Sequence, residues 1–250
     1  PIQNDGDGYL QPALLNLIGL DLNNVGCGEN KNECILRKGV EGNHKQSFLG
    51  CLSKIQGKTN SEMKKMILAN LTLDGYITLQ NGSLIDTFDD SSDVDVDEYK
   101  KSNIYQFTNK SKIEEMSFLN KAARSFNNFK NFLQDDNEKH IIDHTYLWDY
   151  VEMENMFTKE GLNLILLHYD YGYEDMVNII CPTNHYRDNF FDSSKKVIII
   201  LKQIKNDNTY YQPIFELETK GGEKENLFYF DVNDNKLNKK IKNLINNVAR

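Results

Sequence analysis

The sequence predicts an α+β fold, with helices from the first part of the chain packed on a mostly antiparallel sheet from the C-terminal half. Before about residue 160, apolar residues recur at helical spacing in several segments. After that point come five β-rich segments joined by polar turns that are too short to contain helices. Helices followed by a run of strands are typical of α+β domains.

The length and composition of the chain favour one domain. With 250 residues the chain can bury a full core, and we expect a single domain over residues 1–250 with its core at about 37–232. No apolar run reaches the roughly 20 residues that a membrane-spanning helix needs, so we expect no contact with a membrane. The chain starts with Pro1 and ends inside a helical pattern, which indicates a piece of a longer polypeptide.

The charge and the cysteines narrow the range of partners and environments. The net charge of −8 repels nucleic acid overall, so any contact with DNA has to be local. The four cysteines are too few and too unevenly spaced for a disulfide framework in a chain of this length, and we therefore expect a reducing compartment. They are Cys27, Cys34, Cys51 and Cys181.

The N-terminal part contains two predicted helices after a long loop. We expect loop over the first 42 residues, apart from "PALLNLIGLDL", which is a short helix or strand. The segment "SFLGCLSKI" predicts the first core helix, because its apolar residues share one helical face and Gly57 follows as a stop. A second helix is predicted from Ser61 to about Leu71, since Thr59 and Glu62 have capping-box spacing.

The middle of the chain alternates helical segments with an acidic run. "GYITLQNGSLIDTF" predicts short extended or helical pieces around an Asn81-Gly82 turn. Residues 86–98 are strongly acidic, and we expect a solvated loop there. A long helix is predicted from Ser111, with Glu114 in a capping box and an apolar stripe that ends at Leu133.

The C-terminal half is predicted to form the sheet and a last helix. "YLWDYVEMENMFTKEG" predicts a helix that ends at Gly161. The β-rich segments after it are "LNLILLHY", "MVNIIC", "KKVIIILKQI", "YYQPIFELE" and "NLFYFDV". Residues 235–250 predict a basic amphipathic helix with four lysines opposite its apolar face. Such a face can touch phosphates, but on an acidic chain we expect a solvated or partner-facing surface.

Two segments place the side chains of a nucleophilic site. A nucleophile at a helix N-terminus gains from the local positive potential, and it needs a nearby base, usually a histidine. Ser47 is predicted at the start of the first core helix, in "NHKQSFLGCL". His185 is predicted just beyond a strand, in "IICPTNHYRD".

These segments resemble the ovarian-tumour (OTU) family of papain-like cysteine peptidases. In that family an Asp, two further residues, a Cys and two large apolar residues open the central helix, and "HKQSFLGCL" is similar to this pattern. "LNLILLHYD" and "VNIICPTNHY" resemble the strands that lead to the family's His-Tyr pair, and "DHTYLWDYVEMENMF" resembles its tryptophan-containing helix. The resemblance covers about residues 38–190 and implies a papain-like fold.

The resemblance also implies a disabled site. His185 matches the catalytic histidine, but the nucleophilic cysteine falls on Ser47 and the acidic residue three before it falls on His44. The polar residue two after the histidine falls on Arg187. A serine hydroxyl is much less acidic than a thiol, so one exchange does not turn a thiolate site into a serine hydrolase.

An active site remains as an alternative. Cys51 lies one helical turn after Ser47 and is a second candidate nucleophile, although small buried cysteines are ordinary helix residues and we expect Cys51 in the core. Asn184 or Asp188 is then the candidate that orients His185. This alternative is an OTU-type cysteine peptidase or deubiquitinase that uses Cys51, or a cysteine outside the aligned motif, together with His185.

A second resemblance covers about residues 37–220. "KGVEGNHKQSFLGCL", "HTYLWDYV", "NIICPTNHY" and "YYQPIFELE" are similar to a region in long proteins of nucleocytoplasmic large DNA viruses related to the large subunit of the poxvirus early transcription factor. The resemblance implies a transcription-related or virion protein that is found in the virion and in the viral factory of the host cytoplasm. Its implied partners are a ubiquitin-like protein or other viral transcription or virion proteins.

Other site chemistries have weaker support. The gaps between Cys27, Cys34, His44 and Cys51 fit no short zinc knuckle, and His140 and His144 lack a third ligand, so we expect no metal. The Glu-Thr-Lys element at 218–220 matches part of a PD-(D/E)XK nuclease, but its upstream Asp is not distinguishable. We also expect no cofactor, since no Walker or dinucleotide motif is present.

The sequence therefore predicts a non-catalytic, OTU-like interaction module. The first alternative is the active cysteine peptidase described above. The second is a DNA-binding module of a viral early transcription factor, in which the lysines of the last helix carry the binding.

Overall fold

The computed structural model describes residues 2–20, 27, 34–108, 113–134, 139–170, 176–182, 191–220 and 223–249. Within these residues the helices are α1 (Pro12–Ile18), α2 (Ser47–Ile55), α3 (Asn60–Asn70), α4 (Leu73–Tyr76), α5 (Ser83–Phe88), α6 (Asn103–Thr108), α7 (Ile113–Gln134), α8 (His144–Glu152) and α9 (Lys239–Val248). Short 3-10 turns cover Leu79–Gly82 and Val96–Tyr99. The strands are β1 (Asp7–Tyr9), β2 (Ile35–Lys38), β3 (Asn163–Asp170), β4 (Val177–Ile180), β5 (Val197–Lys205), β6 (Asn208–Lys220) and β7 (Glu223–Leu227).

One mostly antiparallel sheet lies at the centre of the fold, which confirms the predicted α+β class. Its strand order is β1-β2-β6-β5-β3-β4, and β7 pairs with the C-terminal part of β6. Only β3 and β5 run parallel among the described strands. The short helix or strand predicted at "PALLNLIGLDL" is confirmed as the helix α1. The prediction of loop elsewhere in the first 42 residues is wrong at β1 and β2, which extend the sheet beyond β6.

Helices cover both faces of the sheet. Successive residues of a strand point to opposite faces, so Leu164 and Leu166 of β3 join one core while Ile165 and Leu167 join another. The first core includes buried residues of the helices α2, α3, α4, α5, α7 and α8. The second core includes buried residues of α1 and α9. The α1 and α9 layer was not part of the predicted arrangement.

The predicted first core helix is confirmed as α2. Eight of its nine residues are buried, and its last turn ends before Gly57, which takes a φ of 62°. Gly50 brings α2 into contact with the backbone before it, since a Cβ there would lie 2.1 Å from Glu41 O. The predicted capping box of Thr59 and Glu62 is also present at the start of α3. These local signals correctly positioned the helix that begins at Ser47.

Other predicted boundaries need correction. The helix predicted to end at Gly161 ends at Glu152, because Asn155 and Gly161 take positive φ angles and turn the chain back. The apolar stripe of α7 is confirmed from Leu119 to Leu133. Of the predicted capping pair, Ser111 lies outside the described residues, and the side chain of Glu114 is not described. The fifth strand is β7 rather than "NLFYFDV", in which Phe230 forms one isolated bridge to Val197.

The acidic run is only in part the solvated loop that was predicted. The acidic run over 86–98 includes the end of α5 and a 3-10 turn, and it is anchored by Asp89, which pairs with Arg124 of α7.

In the described part of the chain, no helix is both long enough and apolar enough to cross a membrane.

Candidate functional site

Ser47 lies where the N-terminus of α2 meets the sheet. Its side chain is 3% exposed, and its Oγ accepts a hydrogen bond from Tyr211 N at 3.0 Å. Tyr211 belongs to β6 and lies beyond the last described partner of β2, since the β2–β6 ladder stops at Arg37 and Ile214. The serine hydroxyl therefore satisfies a backbone N–H that β2 no longer reaches.

The hydroxyl of Tyr211 links this helix to the N-terminus of α8. Tyr211 Oη donates to Asp143 Oδ2 at 3.3 Å, and it lies 2.9 Å from His144 Nδ1. A phenol has a single proton and an ionised carboxylate only accepts, so this geometry fits an Nδ1–H tautomer of His144 that donates to Tyr211. Asp143 is also the N-cap of α8, because its Oδ1 accepts from Thr145 N at 2.9 Å.

We call Ser47, Asp143, His144 and Tyr211 the α2 polar cluster. Burial is the main cause of the shifted pKa values of His144 and Tyr211 in this cluster. It lowers the pKa of His144 to about 4, and the neighbouring Lys202 and His168 act in the same direction while Asp143 opposes them. Burial and Asp143 raise the pKa of Tyr211 far above its ordinary value. The cluster is therefore a neutral imidazole and a neutral phenol beside one carboxyl group.

A polar row continues from the cluster across the sheet. His168 of β3 lies beside Lys202 of β5, and Lys202 lies beside Tyr211 of β6. Burial and Lys202 lower the pKa of His168, and its Nε2 is buried with no hydrogen-bond partner among the described residues. The row places a cation next to two imidazoles, so protonation of either imidazole is unfavourable here.

The residues that follow Ser47 in α2 form apolar packing under the cluster. The Phe48 ring is fully buried, and its centroid lies 5.2 Å from that of Tyr211 and 6.1 Å from that of His144. Cys51, one turn further along, has no exposed surface, and burial raises the pKa of its thiol well above the ordinary value. Both features are those of core residues.

The other predicted site residues divide into two groups. His44 lies before α2, and its ring is 6.3 Å from the ring of Tyr210. His185, Asn184, Arg187 and Asp188 lie outside the described residues. The pairing of Ser47 with His185 therefore stays a prediction, while the contact of Ser47 with β6 is an observation.

The competing metal sites are not formed in the described part of the chain. Cys27 and Cys34 are joined by a disulfide with a Cα–Cα distance of 5.0 Å, so they are not paired as zinc ligands with His44 and Cys51. This bond corrects the expectation drawn from the cysteine count, because disulfides are rare in the reducing compartment that the count predicted. His144 begins α8 while His140 precedes it, so the two do not share a helical face. No group of three potential ligands is close enough to hold a metal among the described residues.

Sequence patterns did not reveal the partners of Ser47. Asp143 and His144 belong to the predicted tryptophan-containing helix segment, and Tyr211 to a β-rich segment, but no motif connects them with Ser47. The local signal was present, because Asp143 before an apolar helical pattern is an N-cap. The contacts themselves join residues 164 positions apart for Ser47 and Tyr211 and 67 apart for His144 and Tyr211. The local spacing of apolar residues cannot predict contacts between residues so far apart in the chain.

Comparison of the chain with protein-family models, with curated proteins and with solved structures finds no match. The interpretation of this site therefore depends on its own geometry and on the motifs of the sequence.

Among the described residues, no base is hydrogen-bonded to the hydroxyl of Ser47. A serine nucleophile needs a base that removes its proton. Of the described residues, Tyr211 alone is hydrogen-bonded to Ser47 Oγ, and it does so through its backbone N–H. The His144 ring nitrogen nearest to the cluster faces the Tyr211 hydroxyl instead. In the described part of the structure, the hydroxyl of Ser47 therefore acts as an acceptor for the backbone of β6.

Proposed function

We propose that this chain is a non-catalytic protein-binding domain of the OTU-like, papain-like type. The observation that carries the proposal is the hydrogen bond from Tyr211 N to Ser47 Oγ, at the position where the OTU resemblance expects a free nucleophile. The mixed α+β architecture, with α2 packed on β6, is compatible with such a fold. On this proposal the papain-like arrangement is kept as a scaffold while the chemistry is lost.

The burial of Cys51, one helical turn after Ser47, supports the absence of catalysis. A cysteine nucleophile acts as its thiolate and sits in a partly exposed, electropositive position. Cys51 is fully buried and its pKa is raised, so its thiolate is disfavoured. Neither Ser47 nor Cys51 therefore supplies an activated nucleophile in the described part of the structure.

The biological setting rests on the second resemblance. The motifs shared with proteins of large DNA viruses favour a transcription-related or virion protein, acting in the virion and in viral factories of the host cytoplasm. The partner we propose is a protein, either ubiquitin-like or another viral transcription or virion protein. The acidic character of the chain is compatible with a protein partner.

An electrophilic ubiquitin probe tests the absence of catalysis. The probe carries a thiol-reactive group at its C-terminus and is incubated with the chain near neutral pH in a Cys181→Ala background, which removes the exposed free cysteine. We expect no covalent adduct, because the remaining free thiol among the described residues is the buried one of Cys51. Intact-mass spectrometry measures the result.

Two further variants give the opposite outcome a clear meaning. An adduct that disappears in Cys51→Ala, or ubiquitin turnover that is lost in His185→Ala, would show an active peptidase and overturn the proposal. An adduct on the parent chain that is absent in the Cys181→Ala background but unchanged in His185→Ala would be surface labelling and would leave the proposal standing. An adduct at Cys181 that His185→Ala also abolishes would overturn it.

A further inference from the structure

The strand β4 exposes apolar side chains at one end of the sheet. Among the described strands β4 pairs with β3 alone, so in the described part of the sheet its other edge is open. Met176, just before the strand, is 57% exposed, and Ile179 within it is 41% exposed. An open edge presents unpaired backbone N–H and C=O groups, and apolar side chains beside them favour pairing with a further strand. The edge of β4 is therefore able to extend the sheet.

Charge and short length protect the other open edges of the described sheet. The strand β7 carries Glu223, Lys224 and Glu225, which are all exposed, and such charges oppose pairing with another chain. The strand β1 is only three residues long and begins with Asp7. Residues 176–181, in contrast, read Met-Val-Asn-Ile-Ile-Cys and contain no charge. Of the described edges, β4 is thus the one without protection against a further strand.

The sequence of β4 is complementary to a second copy of itself. Two antiparallel copies centred on Asn178 place Val177 of each copy opposite Ile179 of the other. In the β3–β4 ladder these two residues lie opposite Tyr169 and Leu167, so both point to the face of the second core. Side chains branched at Cβ pack well against cross-strand neighbours. Each apolar side chain on this face of the edge is therefore matched by one from the other copy.

Repulsion between two acidic chains is weak at this edge. The net charge of −8 opposes association in general. The one carboxylate of β3 is Asp170, just beyond the last described pair of the β3–β4 ladder, Tyr169 and Val177. With strands about 4.8 Å apart and residues about 3.4 Å apart along a strand, the two copies of Asp170 are about 20 Å from each other. This separation exceeds the screening length of about 8 Å at physiological salt. Glu174 and Asp175 precede β4 and lie outside the described residues.

We propose that two copies of this chain pair through β4, antiparallel about Asn178, so that their sheets form one continuous sheet. The second copy fits this edge because each unpaired backbone group meets its counterpart, and Val177 meets Ile179 twice by symmetry. Helix α1 also contacts β4, and its half-buried Leu17 packs on the same core as Val177. A contact between two short strands belongs to the small, reversible class of interfaces. The inference goes beyond the proposed function and does not depend on it.

Sedimentation equilibrium of the full 250-residue chain tests this inference. At chain concentrations up to about 1 mM we expect a monomer–dimer equilibrium. Ile179→Lys is expected to raise the dissociation constant at least about 10-fold, because each copy then places an ammonium group opposite Val177. Ile141→Lys is the matched control and is expected to leave the dissociation constant unchanged. Ile141 is 55% exposed and precedes α8, whose first residue contacts Tyr211 of β6 rather than β4.

An introduced cysteine tests the register of the pairing. Residues opposite each other in antiparallel strands have Cα atoms about 4.5–5.5 Å apart, within the range that a disulfide spans. In a Cys181→Ala background, which removes the exposed free thiol, Asn178→Cys is expected to form a disulfide-linked dimer with oxidised glutathione as the oxidant. Lys224→Cys, on the charged and exposed β7, is the control and is expected to cross-link at least about 10-fold more slowly.

Three results would overturn the proposal. The first is a chain that remains monomeric at about 1 mM. The second is an equal effect of Ile179→Lys and Ile141→Lys on the dissociation constant. The third is equally fast cross-linking through positions 178 and 224, which would place the contact elsewhere.

Discussion

Replacing Phe48 by alanine is expected to destabilise the folded chain by about 3–5 kcal/mol. The ring has no exposed surface and packs directly beneath Tyr211 and His144. Its removal leaves a cavity, because the neighbouring side chains of the first core are themselves buried and relax only in part. The free energy of unfolding, measured by urea titration, gives the size of the effect.

Phe118→Ala is the matched control for this substitution. Phe118 lies on the described part of α7 and is 44% exposed, so its loss is expected to cost about 1 kcal/mol or less. If Phe48→Ala were no more destabilising than Phe118→Ala, the packing between α2 and β6 described above would be wrong.

The folded chain is expected to lose about 3 kcal/mol of stability between pH 6.5 and pH 4 because of His144 alone. The folded-state pKa of His144 is lowered from 6.5 to about 4, mainly by burial. Between these values the unfolded chain binds a proton that the folded chain excludes, so stability is complete above pH 6.5 and falls as the pH approaches 4. The charged and titratable groups that face this ring are Asp143, Tyr211, Lys202 and His168.

His144→Gln isolates this contribution. Glutamine can still donate to the Tyr211 hydroxyl but does not titrate, and all other ionisable groups are unchanged. The stability of the parent chain relative to this variant, followed by urea unfolding from pH 7 to pH 4, is expected to decline by about 3 kcal/mol. A difference that stays constant with pH would contradict the burial of a neutral imidazole at this position.

The parts of the fold that were predicted are those with strong local signals. The start of α2 follows from apolar residues at helical spacing, and the start of α3 from a capping box. The β-rich segments that became β3 and β5 are continuous apolar runs, as expected for strands buried on both faces. In each case the information lies within about ten residues of chain.

The parts that were missed depend on contacts between distant residues. β2 is only four residues long and exists because it pairs with β6, nearly 180 residues later. The end of α8 depends on the positive φ angles at Asn155 and Gly161, where Gly161 lies against Glu152 O. A short strand or a turn of this kind has too little local pattern to be predicted.

The candidate site shows the same division. Ser47 was placed correctly at the start of α2, because that position follows from the helix pattern. Its contact with Tyr211, and the link from Tyr211 to Asp143 and His144, were not predicted. Those contacts are created by the packing of α2 and α8 against β6, which no motif encodes.

The reactivity of a thiol at position 47 tests the central claim most directly, namely that this position serves structure and has no catalytic base. In a Ser47→Cys variant, full burial is able to raise the thiol pKa by about 3–5 units, whereas a helix N-terminus lowers it by about 1.5 units at most. We therefore expect iodoacetamide to modify position 47 near neutral pH far more slowly than the exposed Cys181, as read by mass spectrometry of the peptides. Modification of position 47 faster than Cys181, with a rate that falls in a His185→Ala background, would place an imidazole beside that position and contradict the account.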